Sequence, residues 1–394
     1  MVAISGTVHP DFEPVREAFA ENFAARSDVG AAFCAYVDGE KVVDLWGGEA
    51  RPGVPWAEDT LCLVWSTTKG ATALVAQILA DRRLLDVDAP VARYWPEFAT
   101  HGKDAVTVWH VLTHAAGLPF WEGYRELVHH DSTKGWERTD DIAAALAAAP
   151  PVWEPGTKHG EHALTYGWLV GEIVRRITGK TLGTYFREEV AEPLGLDFWI
   201  GLPAGHHRRV ADLLQPPTLA EPELAEMMAE LMAPDALTGQ ALLVGPRGGL
   251  EHLAEVANSA NYRAAEIPAS NAITDARSLA RMYAMLARGG ELDGVRIVSP
   301  ESVAAHAAEQ FRGYDVVLVS DKRYGLGYMR PCPPAEVFGP NDEAFGHPGL
   351  GGSLGFADPV AKVGYGYVMN QMMPGIQVDP RARVLADALY GCLD

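Results

Sequence analysis

Leu63-Val64-Trp65-Ser66-Thr67-Thr68-Lys69-Gly70 sets a serine and a lysine three residues apart at the start of an apolar run. Ala71, Leu74, Val75, Ile78 and Leu79 continue the run at the spacing of one helix face. Side chains at i and i+3 share a face, so the Ser66 hydroxyl and the Lys69 amine are predicted neighbours. A serine hydroxyl is a weak nucleophile until a base takes its proton. A desolvated lysine can be that base, because burial disfavours its charged form. The helix N-terminus adds unpaired backbone N–H groups and a positive dipole end, both suited to a developing oxyanion. The same spacing also occurs on ordinary surface helices, so the rest of the chain has to carry the reading.

Before this stretch, Phe12, Val15, Phe19 and Phe23 mark an amphipathic helix. Two strand-like runs follow, residues 31–37 and 41–47, with Asp38-Gly39 between them as a hairpin signal. From about residue 86 to 266 helical patterns with Pro and Gly breaks dominate. Residues 109–119 read as a short helix ending in a Gly/Pro loop. Tyr166, Leu169, Val170, Ile173, Val174 and Ile177 form an apolar stripe closed by Gly179. Residues 203–260 are the least regular, with Pro216-Pro217 and Gly248-Gly249 as breaks. Within them Leu224, Met227, Met228, Leu231 and Met232 make a Met-rich stripe, read as core or as the lining of a substrate groove. Further on, Leu279, Met282, Tyr283 and Leu286 mark a helix stopped by Gly289-Gly290. Residues 324–329, 352–357 and 363–370 read as strands, and Val384, Leu385, Ala388 and Leu389 as a last helix. The economical fold is an α/β (α+β) domain built from both chain ends, 1–85 with 267–394, enclosing a mostly helical insertion, 86–266.

Composition narrows the function classes. The 394 residues are 48% hydrophobic and 21% charged, an ordinary globular balance. A formal net charge of −20, spread along the chain, argues against nucleic acid or an anionic membrane as partner. Cys34, Cys62, Cys332 and Cys392 are scattered without metal spacing and read as free thiols, with Cys62 a small core residue. No signal-like or membrane-spanning segment is legible, so the expected location is the cytoplasm. His129-His130 and His206-His207 lack accompanying carboxylates at HExxH-type spacing, so neither a metal nor another cofactor is expected. Lys134, Lys158, Trp121 and Trp136 are candidates for the rim of a cleft.

Three segments recur in a telling order: the S-x-x-K at Ser66, then Glu161-His162-Ala163-Leu164-Thr165-Tyr166, then His347-Pro348-Gly349-Leu350. Together with residues 111–119, 192–196, 273–280 and 324–328, this resembles the serine β-lactamase and penicillin-binding-protein superfamily. The closest likeness is to class C β-lactamases and the β-lactamase-like family VIII carboxylesterases, over nearly the whole chain. The resemblance implies an antiparallel sheet flanked by helices and a helical second lobe, with the active site between. It makes Ser66 the acylated nucleophile and Lys69 its proton partner. His347-Pro348-Gly349 then stands where β-lactamases carry K-T-G, and His347 either helps hold the substrate or is structural. Gly349 lets a strand edge approach the ligand, and the backbone N–H groups of Leu350 and Ser66 form the oxyanion hole.

The second motif departs from the family. A tyrosine is expected there as the general base. Counting places that position on Glu161 or His162, and neither is tyrosine. His162 titrates near neutrality, whereas Glu161 needs its pKa raised by burial to do the same work. Tyr166 lies on the apolar stripe and reads as packing. The function that follows is a serine hydrolase, a carboxylesterase acting on small esters or amides through an acyl-serine. Acyl transfer, β-lactamase or D-amino-acid peptidase activity, and an impaired binding module are the alternatives.

Overall fold

The apolar runs at the two chain ends pair with each other. In the computed structural model, which describes residues 2–219, 221–245, 252–375 and 377–393, three strands come from the N-terminal end. These are β1 (Ile4–Val8), β2 (Gly30–Val37) and β3 (Glu40–Arg51). Three more, β4 (Phe345–Pro348), β5 (Leu354–Asp358) and β6 (Val363–Met369), come from the C-terminal end. They form one antiparallel sheet in the order β1-β3-β2-β6-β5-β4, with a short strand, Val54–Pro55, on β3. The β2–β6 pair joins the two ends, from Ala31 opposite Met369 to Val37 opposite Val363. Asp38 and Gly39 turn β2 into β3 with φ of 48° and 89°, the doubly positive geometry of a tight hairpin.

Both faces of the sheet are covered, which is why β2 reads as an unbroken apolar run. Ala31, Phe33 and Ala35 belong to one core cluster, and Ala32, Cys34 and Tyr36 to another, the period-two alternation of a strand. On the first side lies α1 (Glu13–Ala25), which buries Val15 and Phe19. Full burial of a side chain such as Phe19 contributes about 2 kcal/mol.

The Ser66 stretch leads into α2 (Thr68–Asp81), in which every residue from 68 to 79 is buried. A helix apolar all round belongs inside a protein, and Lys69 is the one charged residue in that run. The stripe beginning at Tyr166 is α3 (Thr165–Thr178), stopped by Gly179 at φ 71°. Next, α4 (Ala276–Ala287) lies on the second face of the sheet, capped by the Asp275 side chain, which accepts from the Ser278 N–H at 2.6 Å. Gly364 on β6 allows that close packing, since a Cβ there would stand 2.3 Å from Ala284 N. Finally α5 (Pro380–Tyr390) packs beside α1.

Some expectations are corrected. The predicted strand over 324–329 is a strand Ser320–Tyr324 paired with Phe311–Asp315, after which the chain turns at Gly327 with φ 84°. In the stretch 109–119, read as a short helix ending in a Gly/Pro loop, the helix is Val108–Leu112. Most of the Met-rich stripe is not core: its helix, Pro222–Leu231, buries none of its residues and Met227 is 55% exposed, while Met232 just beyond it is buried. It borders a groove of about 650 Å³ that Gly351, Gly352 and Met373 also line. Trp121 and Trp136 do not form a rim; both are buried and pack on Trp168. Lys134 and Lys158 are exposed. Gly248-Gly249 lies outside the described residues. No helix among the described residues is long and apolar enough to cross a membrane.

Candidate active site

Ser66 sits in a single tight turn, Trp65–Thr67, immediately before α2. Trp65 holds φ of 46°, a left-handed conformation that bulky residues rarely adopt. The turn is pinned from both sides: Val64 N–H donates to Ala272 O at 3.0 Å and Thr67 N–H to Val64 O at 3.1 Å. One helical turn on, Lys69 Nζ lies 2.9 Å from Ser66 Oγ. The same nitrogen is 2.9 Å from Ala163 O, 3.2 Å from Ala269 O and 3.0 Å from Glu161 Oε1. Its side chain is fully buried.

Of the two second-motif alternatives, the structure turns Glu161 toward Lys69 and His162 away from it. His162 is fully buried and both its ring nitrogens are engaged by backbone. Nδ1–H donates to Gly160 O at 2.7 Å, and Nε2 accepts the Leu118 N–H at 2.9 Å. Burial pushes its imidazole down to about 4. Glu161, by contrast, is ringed by proton-bearing groups. Besides Lys69, it has His114 Nε2 at 3.7 Å, His347 Nε2 at 3.9 Å and the Tyr324 hydroxyl at 3.2 Å. Burial alone would raise its pKa, but the charge and hydrogen bond of Lys69 outweigh it and hold the carboxyl below its usual range. For Lys69 burial is the larger effect and lowers the pKa, with the Glu161 charge opposing it.

His347 and Gly349 arrive on β4 and the turn that follows it. His347 Nδ1–H donates to Pro348 O at 2.7 Å, while Nε2 has no hydrogen-bond partner among the described residues. Burial pushes this imidazole down to about 4. Gly349 has to be glycine: a Cβ would stand 2.2 Å from Ser353 Oγ and 2.3 Å from Val64 O. Ser353 ties this turn to both flanks of Ser66, donating to Val64 O at 2.8 Å and meeting Thr67 Oγ1 at 3.0 Å. Leu350 and Ser66 thereby line the same cavity, of about 50 Å³, with Glu161, Leu318, Met329 and His347.

Sequence reading missed three members of this cluster. His114 and Tyr324 lay inside quoted segments, but nothing in their spacing tied them to Glu161. Asp315 lies on a strand that was not predicted. Tyr166 is fully buried, as a packing residue should be. No group of three or more His, Cys, Asp or Glu side chains among the described residues is placed to hold a metal ion. His206 stands beside Trp199 at 4.7 Å, and His130 lines a second cavity at Ser66.

Comparison with known proteins shows the family to which this fold belongs. A family model described as Beta-lactamase matches residues 16–390. A protein named Esterase/beta-lactamase LipL, from Mycobacterium tuberculosis, is 38% identical over 378 residues, covering 94% of this chain and 83% of its own length. The crystal structure of a family VIII carboxylesterase superposes with a TM-score of 0.87 at 42% identity, covering 99% of this chain and 100% of that one. A penicillin-binding-protein homologue from Caulobacter crescentus gives 0.86 at 41% identity with the same coverage.

Proposed function

The chain belongs to the beta-lactamase family, and within it we propose a serine hydrolase of the carboxylesterase type, acting on small esters through an acyl-serine intermediate. The observation that carries the reading is the fully buried Lys69 Nζ, 2.9 Å from Ser66 Oγ. Burial favours the amine form, whose lone pair takes the Ser66 proton as Oγ attacks the ester carbonyl. The ammonium so formed has three N–H groups and finds three acceptors already in place: Glu161, Ala163 O and Ala269 O. The carbonyl oxygen, now negative, is received by the backbone N–H groups of Ser66 and Leu350. Lys69, steadied by Glu161, then returns the proton to the departing alkoxide. Water enters, gives a proton to Lys69 and attacks the acyl carbon, and the acid product leaves with Ser66 restored.

Glu161 thus fills the second-motif role as the counter-charge to Lys69, with Lys69 the proton carrier. His162 is a structural residue in this scheme. His347 in place of the third-motif lysine favours an ester over a β-lactam carboxylate, since a neutral imidazole offers no fixed positive charge. Acyl transfer to a second alcohol or amine would use the same acyl-enzyme. Ser66 and Lys69 come from the segment 1–85 and Glu161 and Ala163 from 86–266. That supports an active site between two lobes, one built from 1–85 with 267–394 and the other from 86–266. Four unpaired cysteines support a cytoplasmic setting.

The test is turnover of p-nitrophenyl acetate and butyrate with Ser66→Ala as control, beside labelling by a fluorophosphonate. We expect turnover and a covalent adduct in the native protein and loss of both in Ser66→Ala. Absence of both from the native protein would sink the enzyme reading.

A further inference from the structure

The peptide that presents the Leu350 N–H is the last link of a hydrogen-bonded series that starts outside the site. Its carbonyl, Gly349 O, accepts the Gly352 N–H at 3.1 Å. The Gly351–Gly352 peptide supplies that N–H and points its own carbonyl the other way, as a trans peptide must. Gly351 O in turn accepts from Arg381 Nη2 at 2.7 Å. Guanidinium, peptide and peptide therefore stand in line behind the Leu350 N–H. Each bond in such a series polarises and strengthens the next.

The middle link has no side chain of its own to hold it. Gly351 and Gly352 stand at φ of 82° and 134°, where side chains are strained. The Gly351 carbonyl is held from outside, by Arg381 and by the Met373 N–H at 3.0 Å. The guanidinium bond is the shorter of the two and is charge-assisted.

Arg381 is itself fixed. It lies in the first turn of α5, is 1% exposed, and has a partner for each of its five N–H groups. Nε and Nη2 grip Asp379 Oδ1 and Oδ2, both at 2.9 Å. Nη1 donates to Asp28 Oδ1 and to Gln371 O, both at 2.9 Å. The Tyr367 hydroxyl, on β6, donates to Asp28 Oδ2 at 2.7 Å and so ties the cluster to the sheet. One N–H of this locked fork goes to the turn beside Ser66.

We infer that Arg381 is a positioning residue for the oxyanion hole: through the Gly351–Gly352 and Gly349–Leu350 peptides it aims and strengthens the Leu350 N–H. This rests on the esterase reading above, with Leu350 as an oxyanion donor, and extends the machinery to the last helix.

The experiment compares p-nitrophenyl acetate with p-nitrophenyl thionoacetate, which differ only at the atom the hole receives. Sulfur is larger than oxygen and a weak acceptor. The kcat/KM of the acetate divided by that of the thionoacetate, each corrected for spontaneous hydrolysis, therefore reads the hole and cancels any general loss of activity. The native ratio is expected to be about 100 or more. Asp28→Asn/Asp379→Asn/Arg381→Met replaces the buried ion cluster with neutral groups, leaves no unpaired charge, and keeps a capping side chain for α5. In that variant the ratio should fall about 10-fold. In Arg381→Lys, which keeps the charge without the planar fork, it should fall about 3-fold. KM for the acetate should stay within about two-fold in both, because an interaction made only in the transition state acts on kcat. A native ratio near one, or a ratio unchanged in the triple variant, overturns the inference. Should the triple variant not fold, Arg381→Lys decides on the same terms. Acetate turnover with an unchanged ratio leaves the esterase reading standing and this inference refuted. No acetate turnover and no fluorophosphonate adduct in the native protein refutes both.

Discussion

The Tyr324 hydroxyl lies 3.2 Å from Glu161 Oε2 and reaches it from 163 residues further along the chain. The family's second motif calls for a tyrosine at this place. Here the local residue is a carboxylate, and a tyrosine hydroxyl comes to it from a distant strand. That hydroxyl is also 3.0 Å from Asp315 Oδ2, so one phenolic proton stands between two buried carboxylates. It can donate to only one of them at a time. Glu161 is held ionised by Lys69 and its neighbours, whereas burial, and then the Glu161 charge, push Asp315 up. Asp315 Oδ1 already accepts the backbone N–H groups of Glu161, Val317 and Leu318, so Tyr324 is the side-chain donor that Glu161 and Asp315 share.

Tyr324→Phe removes that shared donor. Glu161 loses a hydrogen bond to its charged form and meets Asp315 with no donor between them. A hydrogen bond to a charged group contributes about 1.5 kcal/mol or more, so kcat should fall by roughly 10-fold or more. KM for p-nitrophenyl acetate should change little, because Tyr324 is not expected to touch the substrate. Steady-state kinetics on the folded variant check this, and an unchanged kcat would refute it.

Glu161→Gln tests the counter-charge through the pH profile. The working form of Lys69 is the amine, so activity is present above its pKa in the folded protein and is lost as pH falls through that value. Burial lowers that pKa and the Glu161 charge raises it. Removing the charge lowers it further, so the acid limb of kcat/KM should move to lower pH. The limiting rate should fall by roughly 100-fold, since the ammonium that forms loses its carboxylate. A limb that moved to higher pH would show that Glu161 does not act on Lys69 in this way.

His162→Ala should behave as a structural change. It strips the buried Leu118 N–H and Gly160 O of their partners. The expected cost is about 2 kcal/mol, read as a lower denaturant midpoint. The acid limb of the folded variant should stay where it is in the native protein. A displaced limb would return His162 to the list of proton carriers.

Gly349→Ala puts a Cβ 2.2 Å from Ser353 Oγ and 2.3 Å from Val64 O. The turn must move away from the nucleophile, at a cost of about 2 kcal/mol in stability. Acylation by a fluorophosphonate should slow by roughly 100-fold, because the Leu350 N–H shifts with the turn. A variant acylated at the native rate would remove Leu350 from the proposed oxyanion hole.

Much of this molecule was legible because its signals are local. The Ser66–Lys69 pair follows from the pitch of a helix, and the burial of Lys69 from the apolar residues on every side of it in sequence. Asp38-Gly39 names its own turn, and the alternation in β2 names its two faces. The Met-rich helix misled because a 3.6-residue apolar period reports a face and not what covers that face. Residues 324–329 misled because Gly327 ends a strand whose partner, Phe311–Asp315, has no clear apolar alternation.

The sequence by itself determined the pairing of Ser66 with Lys69, the class of fold and the absence of a tyrosine from the second motif. Whether Glu161 or His162 faces Lys69 was decided only by tertiary structure. They are adjacent in the chain and chemically able to trade roles. What separates them is that Leu118 N–H and Gly160 O engage both nitrogens of one, while Lys69, His114, His347 and Tyr324 converge on the other. Those partners come from four separate stretches of chain. No spacing along a sequence records a meeting of that kind, because it is fixed by how the sheet and helices pack.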